Sequence, residues 1–192
     1  MPAVRYEAPR SIAQAIGLLR ADPGAAILAG GTDLLVQCRA GMKRPTTFVD
    51  VKQIPELVGI TVDEAGLTLG AATCAAELCE HAEVRRLWPG LVEAAHLIGS
   101  TQMQGRGSIG GNLCNGSPAA DTTCALIVNR AECVIPGLGA PARPRSPCHS
   151  PLHGGPPMGA ARTMAKTVLC PAGSNRRKER GRGVLRLDIA LS

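Results

Sequence analysis

The sequence predicts an α+β protein of two small subdomains followed by a basic tail. Three observations carry that reading. Residues 1–56 alternate helix and strand patterns around a double glycine, residues 57–136 open on a hairpin and continue as helices, and residues 137–192 lose hydrophobic periodicity. A chain of 192 residues is long enough for one domain or two small ones.

In the first unit, Ser11 can cap a helix whose apolar residues Ile12, Ala15, Ile16 and Leu19 fall on one face. Asp22-Pro23-Gly24 ends it. Ala25 to Ala29 reads as a short buried strand, broken by Gly30-Gly31, and Thr32 or Asp33 can cap a helix from Leu34 to Ala40 closed by Gly41. Thr46 to Val51 is a β-branched strand, so the unit implies a parallel sheet. In the second unit, Gly59–Val62 and Leu67–Gly70 flank the turn Asp63-Glu64-Ala65-Gly66. Helical pattern runs from Thr73 to Ile98 with a break at Trp88-Pro89-Gly90, then Gly99 to Pro118 reads as loop, Ala119 to Val128 as helix and Ala131 to Ile135 as strand.

Composition narrows the function. Residues 1–136 carry 11 Lys and Arg against 13 Asp and Glu, net −2; residues 137–192 carry 10 against 2, net +8. The basic character belongs to the tail, so the folded part has no nucleic-acid footprint. Tyr6, Phe48 and Trp88 are the only aromatic residues, too few for a base-stacking surface. No apolar run reaches the roughly 20 residues of a membrane span, and the N-terminus has no apolar signal region, so a cytoplasmic protein is expected. The 8 cysteines form no Cys-x-x-Cys pair, and most are expected as small buried core residues. His81 and His96 have no acidic partner at ligand spacing, so no metal site is expected.

Two glycine segments carry the chemistry. The first, Leu28-Ala29-Gly30-Gly31-Thr32-Asp33-Leu34, joins strand to helix, where glycines allow close backbone approach and free N–H groups suit a phosphate. Read alone, it is also an ordinary tight turn. The second, Gly105-Arg106-Gly107-Ser108-Ile109-Gly110-Gly111-Asn112, satisfies Gly-x-Gly-x-x-Gly, but helix and loop precede it where a Rossmann fingerprint needs a strand. A flavin or nucleotide loop with Ser108, Asn112 and Asp121 as polar anchors fits it better; Asp121 equally suits the first turn of the next helix. No side chain reads as a nucleophile or base, so no catalytic residue is assigned and a cofactor is expected to do the chemistry.

Together, Ala-Gly-Gly-Thr-Asp-Leu-Leu from Ala29 and Ser-Ile-Gly-Gly-Asn-Leu-Cys-Asn-Gly-Ser-Pro-Ala-Ala-Asp from Ser108 resemble the FAD-binding (medium) subunit of molybdenum hydroxylases, the xanthine dehydrogenase and aerobic carbon monoxide dehydrogenase group. Tyr6-Glu7-Ala8-Pro9-Arg10-Ser11 and Thr47-Phe48-Val49-Asp50-Val51 are similar too, and residues 3–135 follow the pattern. The resemblance implies a two-subdomain FAD-binding fold of the vanillyl-alcohol-oxidase/molybdenum-hydroxylase type, with the second subdomain incomplete. It implies that the backbone from Leu28 through Ala29, Gly30, Gly31, Thr32 and Asp33 to Leu34 wraps the FAD pyrophosphate. Ser108, Gly111 and Asn112 would line its second side and the ribityl chain, Cys114 would lie near the nucleotide, Asp121 would accept a hydrogen bond from the cofactor, and Ile98 and Gly99 would sit by the isoalloxazine. The implied activity is electron relay from iron–sulfur clusters through FAD to an external acceptor. The implied partners are a [2Fe–2S] small subunit and a molybdopterin large subunit, normally as a dimer of trimers. One departure is Gln104-Gly105-Arg106-Gly107 where the family has Arg-Asn-Arg-Gly.

The resemblance fades after Ile135. Residues 137–192 hold 7 Pro and 8 Gly, and only Lys166 to Gly173 echoes a later strand of the family. Such Pro-, Arg-, Gly- and Ala-rich text is what a GC-rich gene yields out of frame, so a truncated or frameshifted product, correct to about residue 136, is expected. Two other readings are a non-catalytic binding protein with a basic C-terminal arm and another FAD-dependent oxidoreductase.

Overall fold

The computed structural model describes residues 3–117 and 120–134 and, as backbone strands, residues 163–165, 167–170 and 189–191. The rest of the tail, and with it the out-of-frame expectation, lies outside the described residues.

The first sheet has three parallel strands, β1 (Arg5–Glu7), β2 (Ala26–Leu28) and β3 (Thr47–Asp50), in the order β1-β3-β2. Helix α1 (Ile12–Ala21) begins where Ser11 Oγ accepts from Gln14 N–H at 3.3 Å, and its Ala15 and Leu19 are buried. Helix α2 (Leu34–Arg39) follows the double glycine and ends before Gly41, whose φ is +74°. Asp33 stands at its N-cap but makes no side-chain capping bond, which corrects the expected cap. Ala15, Leu19, Ala25, Val49, Val51, Ile54, Leu57 and Ala72 form the core beneath this sheet.

At the N-terminal end of the sheet, the Asp22 carboxylate gathers the chain. It accepts from Thr47 Oγ1 at 2.7 Å, Thr46 Oγ1 at 2.8 Å, Gly24 N–H at 2.9 Å and Arg5 at 3.0 Å. The Thr47 and Thr46 hydroxyls, with Gly24 and Arg5 behind them, hold its carboxyl well below the usual carboxylate range, against the smaller opposing effect of burial. A carboxylate depressed in the fold stabilises above its unfolded pKa, about 3.9, and that stabilisation is lost as pH falls toward the folded value. Thermal midpoints measured from about pH 6 to about pH 2.5 should therefore fall with acid in the parent chain and fall less in Asp22→Ala. Equal slopes would contradict this role.

The second sheet starts with the expected hairpin, β4 (Ile60–Asp63) and β5 (Gly66–Gly70), closed by Asp63 Oδ1 accepting from Ala65 N–H at 2.8 Å. β6 (Glu132–Val134) does not pair with the hairpin directly. A further strand, Thr167–Cys170, pairs antiparallel with both β5 and β6, giving four strands. The sequence offered there only the faint likeness of Lys166 to Gly173 to a later strand of the family. It also placed no strand between Pro136 and Thr167, yet β7 (Thr163–Ala165) lies in that stretch and pairs with Ile189–Leu191. In chain order the inserted strand is β8 and the last is β9.

Helices α3 (Ala75–Glu80), α4 (Ala82–Leu87) and α5 (Pro89–His96) cover this sheet. His81 splits the helical pattern, its Nδ1 accepting from Val84 N–H at 3.5 Å, and Pro89 at N1 starts α5. The segment Gly99–Pro118, expected as loop, contains α6 (Thr101–Gln104) and α7 (Ile109–Asn115). Poor helix formers hid α7; Ser108 Oγ caps it by accepting from Gly111 N–H at 3.0 Å, and Gly116 at φ +63° closes it. Helix α8 (Asp121–Val128) follows, with Asp121 in its first turn. Trp88, Leu67, Leu69, Leu78, Leu91, Ile109 and Leu126 are fully or nearly fully buried in the second core.

The cysteines depart from expectation. Among the described residues Cys79 and Cys133 are buried, Cys38 and Cys74 half-buried, and Cys114 and Cys124 exposed.

Candidate functional site

The first sheet is parallel, so Glu7, Leu28 and Asp50 end their strands along one edge. Open α/β sheets bind ligands beyond the carboxyl ends of their strands. The loop 29–33 rises from that edge. Gly31 adopts φ +73°, a left-handed turn that side chains resist. The first amide to re-enter the helix ladder is that of Leu35, which donates to Gly31 O at 3.0 Å. The N–H groups of Gly30, Gly31, Thr32 and Asp33 have no acceptor among the described residues. Successive free amides on a glycine turn form a concavity suited to an anion such as a phosphate or diphosphate.

The second glycine segment is largely occupied with its own fold. Gly107 N–H donates to Met103 O at 2.6 Å and Gly110 N–H to Ala71 O at 3.1 Å. A Cβ on Gly110 would lie 2.6 Å from Ala71 Cβ, so glycine lets α7 pack against residue 71. Asn112 Oδ1 accepts from Thr122 Oγ1 at 2.7 Å and fastens α7 to the start of α8 beside Asp121. What this segment offers a ligand is the Asn112 Nδ2 donor and an open Cα face at Gly111, where a Cβ would meet only Ser108 Oγ, at 2.8 Å.

The two segments touch. A Cβ on Gly30 would lie 2.7 Å from both the Arg106 carbonyl carbon and Gly107 Cα, and nearer still to the Arg106 carbonyl oxygen. One on Gly107 would reach Thr32 Oγ1 at 3.6 Å and Ile98 Cγ2 at 3.7 Å. Gln37 Nε2 donates to Asn115 Oδ1 at 3.0 Å and ties α2 to α7. The loop Leu28–Leu34, Ile98 and the approach to Ser108 thus meet at Gly107. Gly99 follows Ile98 with φ +50°. Ser108 is buried, Gly111, Asn112 and Asp121 are half-buried, and Asp33 and Cys114 are exposed. Pro118 and Ala119, quoted within the second motif, lie outside the described residues. The sequence marked Gly107 only as part of the Gly-x-Gly-x-x-Gly spacing and assigned neither it nor the Arg106 carbonyl to the site.

Sequence reasoning also passed over a polar cluster below the first loop. Lys52 Nζ donates to Asp50 Oδ1 at 2.7 Å, Asp50 Oδ2 at 2.8 Å and the Ala29 carbonyl at 2.9 Å. The Asp50 carboxylate also accepts from Tyr6 Oη and from Lys52 N–H. Burial pushes the Asp50 carboxyl up, but the Lys52 and Tyr6 bonds outweigh it and hold it below the ordinary value. The bond to Asp50, helped by burial and by the same charge, raises the Tyr6 hydroxyl.

Comparison with known proteins gives the family. Residues 2–143 match the family described as the FAD binding domain in molybdopterin dehydrogenase. The chain is 37% identical over 131 residues to the xanthine dehydrogenase FAD-binding subunit of Escherichia coli O157:H7, covering 68% of this chain and 45% of that one. It is 35% identical over 137 residues to the carbon monoxide dehydrogenase medium chain of Hydrogenophaga pseudoflava, covering 71% and 48%. Among solved structures, carbon monoxide dehydrogenase from Hydrogenophaga pseudoflava lacking its Mo-pyranopterin moiety superposes with a TM-score of 0.72 at 27% identity, over 95% of this chain and 66% of that one. Reconstituted CO dehydrogenase from Oligotropha carboxidovorans gives a TM-score of 0.68 at 30% identity, over 73% and 50%. The chain spans about half the length of the curated relatives it matches. With two glycine segments in contact, a row of free amides between strand and helix, and a family match over most of its length, the chain belongs to the FAD-binding domains of the molybdopterin dehydrogenases.

Proposed function

We propose that this chain is the FAD-holding part of a molybdenum–iron–sulfur oxidoreductase that relays electrons from iron–sulfur clusters through FAD to an external acceptor. The observation that carries the reading is the row of free amides at Gly30–Asp33, held against Arg106 and Gly107 at the carboxyl edge of a parallel sheet. Two lobes, 1–56 and 57–136, would clasp the cofactor between them.

Each residue then has a task. The backbone from Leu28 to Leu34 takes the pyrophosphate. Ser108 keeps α7 capped, so that Gly111 presents a bare Cα and Asn112 an amide donor along the pyrophosphate and ribityl chain. Asp121 accepts a cofactor hydroxyl or amide hydrogen, Cys114 lies beside the nucleotide, and Ile98 and Gly99 border the isoalloxazine. FAD itself supplies the redox chemistry, and the protein's part is to bind, orient and shield it. The relatives' names include subunit, medium chain and FAD-subunit, which supports a multisubunit assembly. We assign it a [2Fe–2S] small subunit and a molybdopterin large subunit, as a dimer of trimers.

The test is reconstitution. The full chain, mixed with FAD and freed of excess by gel filtration, should retain close to one flavin per chain by absorbance. ADP, which carries the diphosphate, should compete for the site at concentrations where riboflavin does not. A folded chain that retains no flavin, or one from which riboflavin competes as well as ADP, contradicts the reading.

A further inference from the structure

We propose that Lys52 is a positioning residue that locks the Ala29–Gly30 peptide plane, so that the Gly30 N–H faces the diphosphate. The inference rests on the FAD reading above and names a residue outside both glycine segments.

The sheet brings Lys52 to this place. Leu28 lies opposite Asp50 in the parallel register, and Val51 N–H donates to Leu28 O at 3.1 Å. Lys52 therefore leaves β3 just where the loop leaves β2. Its ammonium has three hydrogens. Two contacts go to the Asp50 oxygens, at 2.7 and 2.8 Å, and a third to the Ala29 carbonyl at 2.9 Å. Asp50 is only 5% exposed and is further tied to Tyr6 Oη and to Lys52 N–H, so the ammonium is anchored from below.

The consequence follows from peptide geometry. In a trans peptide the C=O of one residue and the N–H of the next point in opposite directions in one plane. Holding the Ala29 carbonyl toward Lys52 therefore turns the Gly30 N–H away from it. That N–H is the first of the free row. On its far side this peptide is flanked by Gly30, where no Cβ resists an alternative plane. A charged hydrogen bond to its carbonyl is a strong restraint available to the loop without filling the cradle.

The test separates positioning from general stability. Lys52→Met removes the bond to Ala29; Tyr6→Phe removes a bond to the same Asp50 carboxylate and leaves Ala29 alone. In full-length protein titrated with FAD, Lys52→Met should weaken binding roughly tenfold, as expected for a lost charged hydrogen bond. Tyr6→Phe should stay within about twofold while lowering the thermal midpoint. Lys52→Arg, able to span both acceptors, should recover most of the affinity. In the flavin-free protein the Gly30 amide resonance should shift in Lys52→Met and not in Tyr6→Phe. Parent-like affinity in Lys52→Met, or equal losses in the two variants, overturns the inference. If the parent chain itself takes up no FAD, the functional reading fails, and the Gly30 resonance alone decides this inference: an unchanged resonance overturns it. Should Lys52→Met not yield soluble protein, Lys52→Gln, too short to reach both acceptors, takes its place with the same expectations.

Discussion

Replacing Gly30 with alanine should weaken FAD binding at least about a hundredfold, some 2.7 kcal/mol, in a chain that still folds. The added methyl would stand 2.7 Å from the Arg106 carbonyl carbon and from Gly107 Cα. Both are backbone atoms, and neither can rotate aside as a side chain would. Gly107 is held by its bond to Met103 O at 2.6 Å, and its carbonyl accepts from Ala75 N–H at 2.8 Å. The first loop must therefore retreat, opening the gap between the two segments and moving the amides from their places. The matching control is Gly17→Ala in α1, where a Cβ meets nothing within 4 Å. It should leave affinity unchanged and raise stability by about 0.5–1 kcal/mol, because alanine favours a helix interior. FAD titration of both variants by flavin fluorescence checks the pair. Parent-like affinity in folded Gly30→Ala would show that the contact between the loops does not matter.

Trp88→Ala should cost about 3–5 kcal/mol of stability. Trp88 is 2% exposed and packs in the second core with Leu78, Val84 and Leu91. It also stands where α4 stops and α5 starts, its N–H donating to Val84 O at 2.8 Å and its carbonyl accepting from Leu91 N–H at 3.0 Å. A domain of ordinary stability has about 5–15 kcal/mol in total, so this one change removes a large share. The thermal midpoint followed by far-ultraviolet circular dichroism should fall by about 10 °C or more. Trp88→Phe, which leaves a smaller cavity, should fall less. A midpoint within about 2 °C of the parent would mean that the helices around residue 88 do not share a packed core.

What could be read in the sequence was what local chemistry determines. β2, the double glycine and α2 stand within about two residues of their expected limits, because an apolar run, a turn and a helical stretch succeed one another without interruption. The hairpin β4–β5 was legible for the same reason. β1 was not: Arg5, Tyr6 and Glu7 are all exposed, and their strand exists because β3 offers a partner. α7 was obscured by Gly110, Gly111, Asn112 and Asn115, residues poor in helix propensity. Its signs were at its ends, Ser108 before and Gly116 after.

The site followed the same division. The Leu28–Leu34 loop and the Ser108–Asn112 segment were visible as patterns. Their contact was not, because Gly30 needs no side chain on account of Arg106, far along the chain. Lys52 was equally hidden. A lysine two residues after an aspartate reads as solvated charge until β2 and β3 lie side by side and place Ala29 within its reach.

On the proposed function, the amides of Gly30, Gly31, Thr32 and Asp33 hold the cofactor's diphosphate. Amide chemical shifts of the isotopically labelled full-length chain, followed while FAD and then ADP alone are added, test this at those atoms. These resonances should shift most in both titrations, those of Gly107 and Gly111 should shift with them, and the Ile98 and Gly99 resonances should respond to FAD but not to ADP. Saturable binding of FAD that leaves the Gly30–Asp33 resonances in place would contradict that role.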